Sequence, residues 1–216
     1  MWAYFEKYHY KLTEALSEHL AIVGLTLVIS VALASALTLA IMRSPGLSAI
    51  VIRLFGSIYA IPSLALFAIL IPFTGIGMKT AVLVLVLYNQ FLLIRNFIAG
   101  LDSVDPQIVE AAAGMGMPPL RILFRIKLPL AFPVILAGIH LAVISTIGIA
   151  TIAAAIGAGG IGTILFDGMR TRNPVKLVWG TILAGGLAII ANLALIGIEK
   201  LAARRFHYDG NAPGKP

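Results

Sequence analysis

LAIVGLTLVISVALASALTLAI, residues 20–41, runs for 22 positions without a charged side chain. At about 1.5 Å per helical residue it is long enough to cross roughly 30 Å of hydrocarbon. In the bilayer no water is available to bond the peptide groups, so such a run must close its own hydrogen bonds as a helix. Ala32, Ala36 and Ala40 recur every fourth position, a spacing that lets another helix backbone approach closely.

The rest of the chain has the same character. Of 216 residues, 60% are hydrophobic and 12% charged, and the mean hydropathy is +1.00. Soluble domains are closer to half apolar and a quarter charged. Four further spans are expected: Leu54 to Ile71, interrupted by Pro62, then Met78 to Ile94, Val134 to Ile156, and Leu177 to Ile198. A proline inside a span frees a carbonyl, which is tolerable where neighbouring protein or a cavity satisfies it. The predicted fold is therefore all-α, a polytopic membrane protein with about five spanning helices. One bundle accounts for the length and leaves no room for a soluble catalytic domain.

A formal charge of +7 is compatible with nucleic acid, but in a membrane protein it reads as basic cytoplasmic loops. With the N-terminus outside, the segments 42–53, 95–133 and the C-terminal tail carry ten Lys and Arg against six elsewhere. That bias predicts an outer N-terminus and a cytoplasmic C-terminus. No cysteine is present, which excludes disulfides and thiolate metal sites. The first nineteen residues are polar and aromatic, and the first apolar run is too long for a signal core, so no cleavable signal peptide is expected. Trp2, Tyr4, Phe5, Tyr8 and Tyr10 suit the headgroup region, so residues 1–19 are predicted to lie as an interfacial arm on the outer membrane lipid. The domain itself is placed at 20–200. Residues 201–216 are expected to be a disordered cytoplasmic tail, most plainly from Asp209 to Pro216.

The segment 96–133 is too long for a bundle turn and should have structure of its own. Asp105 followed by Pro106 reads as an N-cap with proline in the first helical position. That helix would pass through Glu110, Ala111, Ala112 and Ala113 and stop at Gly114 and Gly116. Pro118 and Pro119 precede a second short helix, Leu120 to Leu128, which is expected to end at Pro129. The alanines offer a thin face that can enter a groove on another protein, and Glu110 offers one anchoring charge.

Glu110-Ala111-Ala112, three residues, Gly116, nine residues, then Ile126-Lys127-Leu128-Pro129 resembles the EAA loop of ATP-binding-cassette importer permeases, whose pattern EAA-x3-G-x9-I-x-LP is met at every defined position. The resemblance covers about residues 20–200. The segments around Ala60–Ala65, Gly75–Gly77, Val104–Pro106, Gly114–Met117 and Ile156–Gly162 look like the branch importing quaternary-ammonium osmoprotectants such as glycine betaine, carnitine and choline. Methionine importer permeases and related thione-betaine or other small-amine importers share much of the remainder.

The resemblance implies that the loop forms a cytoplasmic coupling helix docking on an ATPase subunit, through Glu110, Ala111, Ala112, Gly116, Ile126, Leu128 and Pro129. It also implies a second permease copy or paralogue and an extracytoplasmic substrate-binding protein. The chain itself would bind no cofactor and no metal and carry no catalytic residue, ATP being used by the partner. The candidate translocation path is Tyr59, Pro62, Gly157, Gly159 and Gly160.

Gly157 to Gly162 fits G-x-G-x-x-G, but a dinucleotide site needs a preceding strand and a βαβ unit, and here a spanning helix precedes it. A backbone break at the outer end of the fourth span is the expectation. Gly75-Ile76-Gly77-Met78-Lys79-Thr80 lacks the spacing of a phosphate-binding loop. Asn89, Gln90, His140, Ser145 and Asn192 are the polar residues within spans, expected mainly to bond between helices. A self-sufficient channel or secondary transporter would need intramembrane charges or a hydrophilic stripe, which the spans do not show.

Overall fold

The structure is a computed structural model that describes residues 2–205. Its elements are α1 (Trp2–Ile41), α2 (Pro45–Tyr59), α3 (Ser63–Thr74), α4 (Met78–Asp102), α5 (Pro106–Gly114), α6 (Pro119–Ile122), a π-helical turn (Leu123–Lys127), α7 (Leu128–Ala153), a 3-10 turn (Ala154–Ile156), α8 (Gly162–Arg170) and α9 (Pro174–Arg205). Of the tail expected to be disordered from 201, residues 206–216 lie outside the described residues, and residues 201–205 correct the expectation by continuing α9.

Four helical stretches are long and apolar enough to span: Tyr4–Ile41, Met78–Asp102, Pro119–Ile156 and Pro174–Leu201. α2 and α3 meet at 97° across residues 60–62 and together make the fifth. Chain geometry requires that crossing. α1 carries the chain from Glu18, beside the Gly157–Gly160 turn, to Met42, beside α5; 24 residues at about 1.5 Å separate these ends by about 36 Å. α4 starts back at the first end, where Ile76 lies against Gly157. Only α2 and α3 connect the two.

The bend falls where Pro62 interrupts the run. Proline has no N–H, so the Ile58 carbonyl loses its usual donor; the Ile61 N–H bonds it instead at 3.1 Å. The Tyr88 hydroxyl on α4 donates to the Ile61 carbonyl, which keeps the break satisfied by neighbouring protein.

α4 is the central helix. Most of its spanning window is buried, whereas none of α9's is. One core gathers Ile22, Phe67, Leu85, Tyr88 and Ala153 at the glycine-turn end. A second, with Ala34, Ile41, Leu93, Ile94 and Ala142, lies next to it towards α5. Asn89 joins three helices: its amide donates to Thr146 Oγ1 at 2.9 Å on α7 and to Ser30 Oγ at 3.3 Å on α1. Gln90 Nε2 reaches the Ser30 carbonyl at 3.3 Å. These amides therefore bond between helices, as expected for polar groups inside an apolar bundle.

Three expectations are corrected. No break separates residues 1–19 from the first span: α1 is one helix of 40 residues, about 60 Å long, so the expected boundary at 19/20 has no counterpart. Ala32, Ala36 and Ala40 are exposed, and the face α1 buries is Thr26, Ser30, Ala34 and Thr38. Finally, Pro129 does not end the second loop helix. The preceding turn widens to a π-helix, in which the Leu128 N–H bonds the Leu123 carbonyl five residues back. A π turn relieves the clash that proline would make in regular α-helix, so the helix runs on to Ala153.

Candidate functional site: the coupling loop and the glycine turn

α5 forms as its sequence dictates. Asp105 Oδ1 accepts from the Gln107 N–H at 2.8 Å, and Pro106 occupies the first turn, where a missing donor costs nothing. At the other end the Gly116 N–H bonds Ala113 O at 2.9 Å and the Met117 N–H bonds Ala112 O at 3.1 Å. This Schellman closure needs a left-handed residue, and Gly116 supplies it at φ +81°.

The unit is seated on the bundle through Leu101, Val104, Leu123 and Ala131, with Met42, Val109 and Leu128 packed against them. Glu110, Ala111 and Gly116 stand exposed on its free surface, together with Ile108 and Met115. Ala112 is 1% exposed and faces the bundle. Ile126, Leu128 and Pro129 are half-buried in the π turn and the start of α7. The structure thus spreads the seven motif residues over α5, the turn after it, the π turn and the start of α7, and divides them: Glu110, Ala111 and Gly116 are available for contact, whereas Ala112 is buried and Ile126, Leu128 and Pro129 are half-buried.

At the opposite end of the bundle the chain breaks between α7 and α8. Gly157, Gly159 and Gly160 have φ of +74°, +87° and +80°. Glu18 and His19 of α1 grip this turn. Glu18 Oε2 accepts from the Gly160 N–H at 2.8 Å, and a Cβ on Gly160 would lie 3.0 Å from His19 Nδ1. Tyr59 is half-buried and Pro62 exposed at the α2–α3 bend, with the Tyr59 ring 5.5 Å from that of Tyr88. Tyr59 and Ile156, just before the glycine turn, pack around the same core cluster, so the bend and the turn occupy one half of the bundle.

A cleft of about 720 Å³ lies beside the turn, lined by Tyr4, Tyr8, Glu14, Glu18, Asp167 and Lys176 among others. Asp167 bonds Lys176 and Arg170, which hold its carboxyl below the ordinary value.

Two partnerships were not read from the sequence. His140 Nδ1 lies 2.9 Å from Glu199 Oε1 and Nε2 lies 2.8 Å from Asn192 Oδ1, tying α7 to α9. The seven-residue interval from Asn192 to Glu199, two helical turns on one face, is the signal that could have found this pair. Glu18 is the last carboxylate before the uncharged run, and nothing in its own surroundings announces a partner 142 residues away. Among the described residues no group of three His, Asp or Glu side chains comes together as a metal site would need.

The geometry is that of a multi-helix membrane bundle with a capped, exposed loop helix seated on the spans, and the family match gives it the class of a transporter's membrane component. The chain matches the family of binding-protein-dependent transport system inner membrane components over residues 26–208, and it belongs to that family, as the permease subunit of an ATP-binding-cassette importer. It is 33% identical over 182 residues to the carnitine transport permease protein OpuCB of Listeria monocytogenes, covering 84% of each chain. It is 42% identical over 135 residues (62% of this chain) to the ergothioneine transport permease/ergothioneine binding protein EgtU of Helicobacter pylori, but spans only 24% of that longer protein's length. An inward-facing MetNI methionine ABC transporter shares the fold, with a TM-score of 0.81 at 22% identity over 91% of this chain and 98% of the other.

Proposed function

We propose that this permease imports small solutes carrying a trimethylammonium group, driven by ATP hydrolysis on a separate subunit. The observation that carries the substrate class is the agreement among relatives: carnitine, choline, glycine betaine and ergothioneine transport components all match, and each of these solutes bears that group. Methionine is the second reading, supported only by the shared fold.

In the proposed mechanism Glu110, Ala111 and Gly116 present α5 to a cleft of the ATPase. Closure of an ATPase pair pushes α5, and the seat formed by Leu101, Val104, Leu123 and Ala131 carries that push into α4 and α7. A second copy or paralogue completes the path, and an extracytoplasmic binding protein delivers the solute on the N-terminal side. The bias of Lys and Arg towards segments 42–53 and 95–133 supports placing α5 in the cytoplasm. Tyr59, Pro62 and the glycine turn are the proposed path-side elements, supported by the packing of Tyr59, Ile61, Ile156 and Ala158 in and around one core cluster.

The test is uptake of radiolabelled glycine betaine, carnitine, choline and ergothioneine by cells with and without this gene. Energy-dependent uptake of at least one should disappear with the gene. Unchanged uptake of all four, with loss of methionine uptake, would replace the substrate class.

A further inference from the structure

At the coupling-loop end, a groove of about 610 Å³ opens between the last turn of α1, the inner side of α5 and the α6–π-turn segment. That volume is in the range of small-ligand clefts, about 300–1,000 Å³. Its walls are apolar: Leu39, Met42, Val109, Leu120, Leu123 and Phe124 contribute. Leu120 is 63% and Phe124 58% exposed. Two cations, Arg43 and Lys127, also line it, and no carboxylate does. Neither cation has a carboxylate within ion-pair distance among the described residues.

The depth of these cations is set by the sequence. Arg43 is the first charge after the uncharged run 20–41, and Lys127 is the last before an equally apolar run that contains only His140 until Asp167. Both cations border one groove, each at the edge of an uncharged run, and the edges of such runs suit the level where hydrocarbon gives way to headgroups. Basic pockets between spans at this level suit anionic lipid headgroups, while adjoining apolar walls take the acyl chains.

We propose that the groove is a binding site for an anionic phospholipid, its phosphate bridging Arg43 and Lys127 and its chains lying along Leu39, Leu123 and Phe124. A zwitterionic lipid would bring its own ammonium group, quaternary in phosphatidylcholine, beside two cations, so the charge pattern selects against it. The lipid would sit against the side of α5 that carries Val109 and Ala113, and the site does not depend on which solute is imported.

The experiment is native mass spectrometry of the full chain, purified in detergent, delipidated and given phosphatidylglycerol or phosphatidylcholine. Retained phosphatidylglycerol should exceed phosphatidylcholine at least five-fold. Arg43→Gln with Lys127→Gln should bring it down to the phosphatidylcholine level, whereas Arg43→Lys with Lys127→Arg should preserve the preference and so separate charge from folding. Ala113→Phe, which adds a ring to the α5 wall of the groove and keeps both cations, should also lower retention several-fold. Equal binding of the two lipids, or undiminished phosphatidylglycerol in the double glutamine variant, would overturn the proposal.

Discussion

The carboxylate of Glu18 accepts a hydrogen bond from the backbone N–H of Gly160 at 2.8 Å, joining the first helix to the break between α7 and α8 across 142 residues of sequence. Gly160 holds φ +80° there, with His19 packed against it. Gly160→Ala adds left-handed strain of about 1–2 kcal/mol and presses a methyl onto His19. The expected result is a lower midpoint of thermal unfolding in detergent. Glu18→Ala should lower it too, and the double variant should fall by less than the sum, because both changes break one contact. Additive losses would mean that the two residues act independently.

Tyr88→Phe removes only the hydroxyl that serves the Ile61 carbonyl at the Pro62 bend. Leaving that carbonyl unpaired should cost about 1–3 kcal/mol. Unfolding of the purified chain should show the loss, while Tyr59→Phe, whose hydroxyl has no such role in the break, should change stability less.

His140 and Glu199 form a part-buried pair at 2.9 Å between α7 and α9. Removing one partner strands the other's polar group, whereas replacing both with apolar residues can be near neutral. Glu199→Leu and His140→Leu should each destabilise, and the double variant should be more stable than the weaker single. A double-mutant cycle in unfolding experiments measures this directly.

Asp167 lies outside the spans, and its bonds from Lys176 and Arg170 lower its pKa below the ordinary 3.8. A group depressed in the folded state adds stability above its unfolded pKa and loses that contribution as pH falls through its folded value. The wild-type chain should therefore lose stability as pH drops below about 3.8. Asp167→Asn should lack that part of the slope while starting from a lower stability at neutral pH. Unfolding midpoints across pH 2.5–7, a range set about the ordinary carboxylate value, check it.

Much of this architecture was legible because the bilayer imposes few solutions. Uncharged runs of about twenty residues name the spans, and Asp105, Pro106 and Gly116 fix both ends of α5 through local chemistry alone. Facing was harder to read. The spanning part of α1 carries no charge on any side, so small residues at Ala32, Ala36 and Ala40 could not be distinguished from the stripe at Ser30, Ala34 and Thr38 that actually packs. Pro129 read as a stop because local rules give proline that meaning; the π turn that accommodates it depends on how Leu123 and Leu128 pack. The same limit explains the docking motif. Its spacing identified the loop, but only the folded chain separates the exposed Glu110, Ala111 and Gly116 from the buried Ala112.

The central claim is that α5 is the point where an ATPase engages this permease, and co-purification of the tagged chain from its own membranes tests it most directly. The wild-type chain should carry an ATP-hydrolysing subunit through size-exclusion chromatography, and Glu110→Arg should lose it while the permease itself stays folded and in the membrane. An ATPase retained undiminished by Glu110→Arg, or absent from the wild-type complex, would contradict the account.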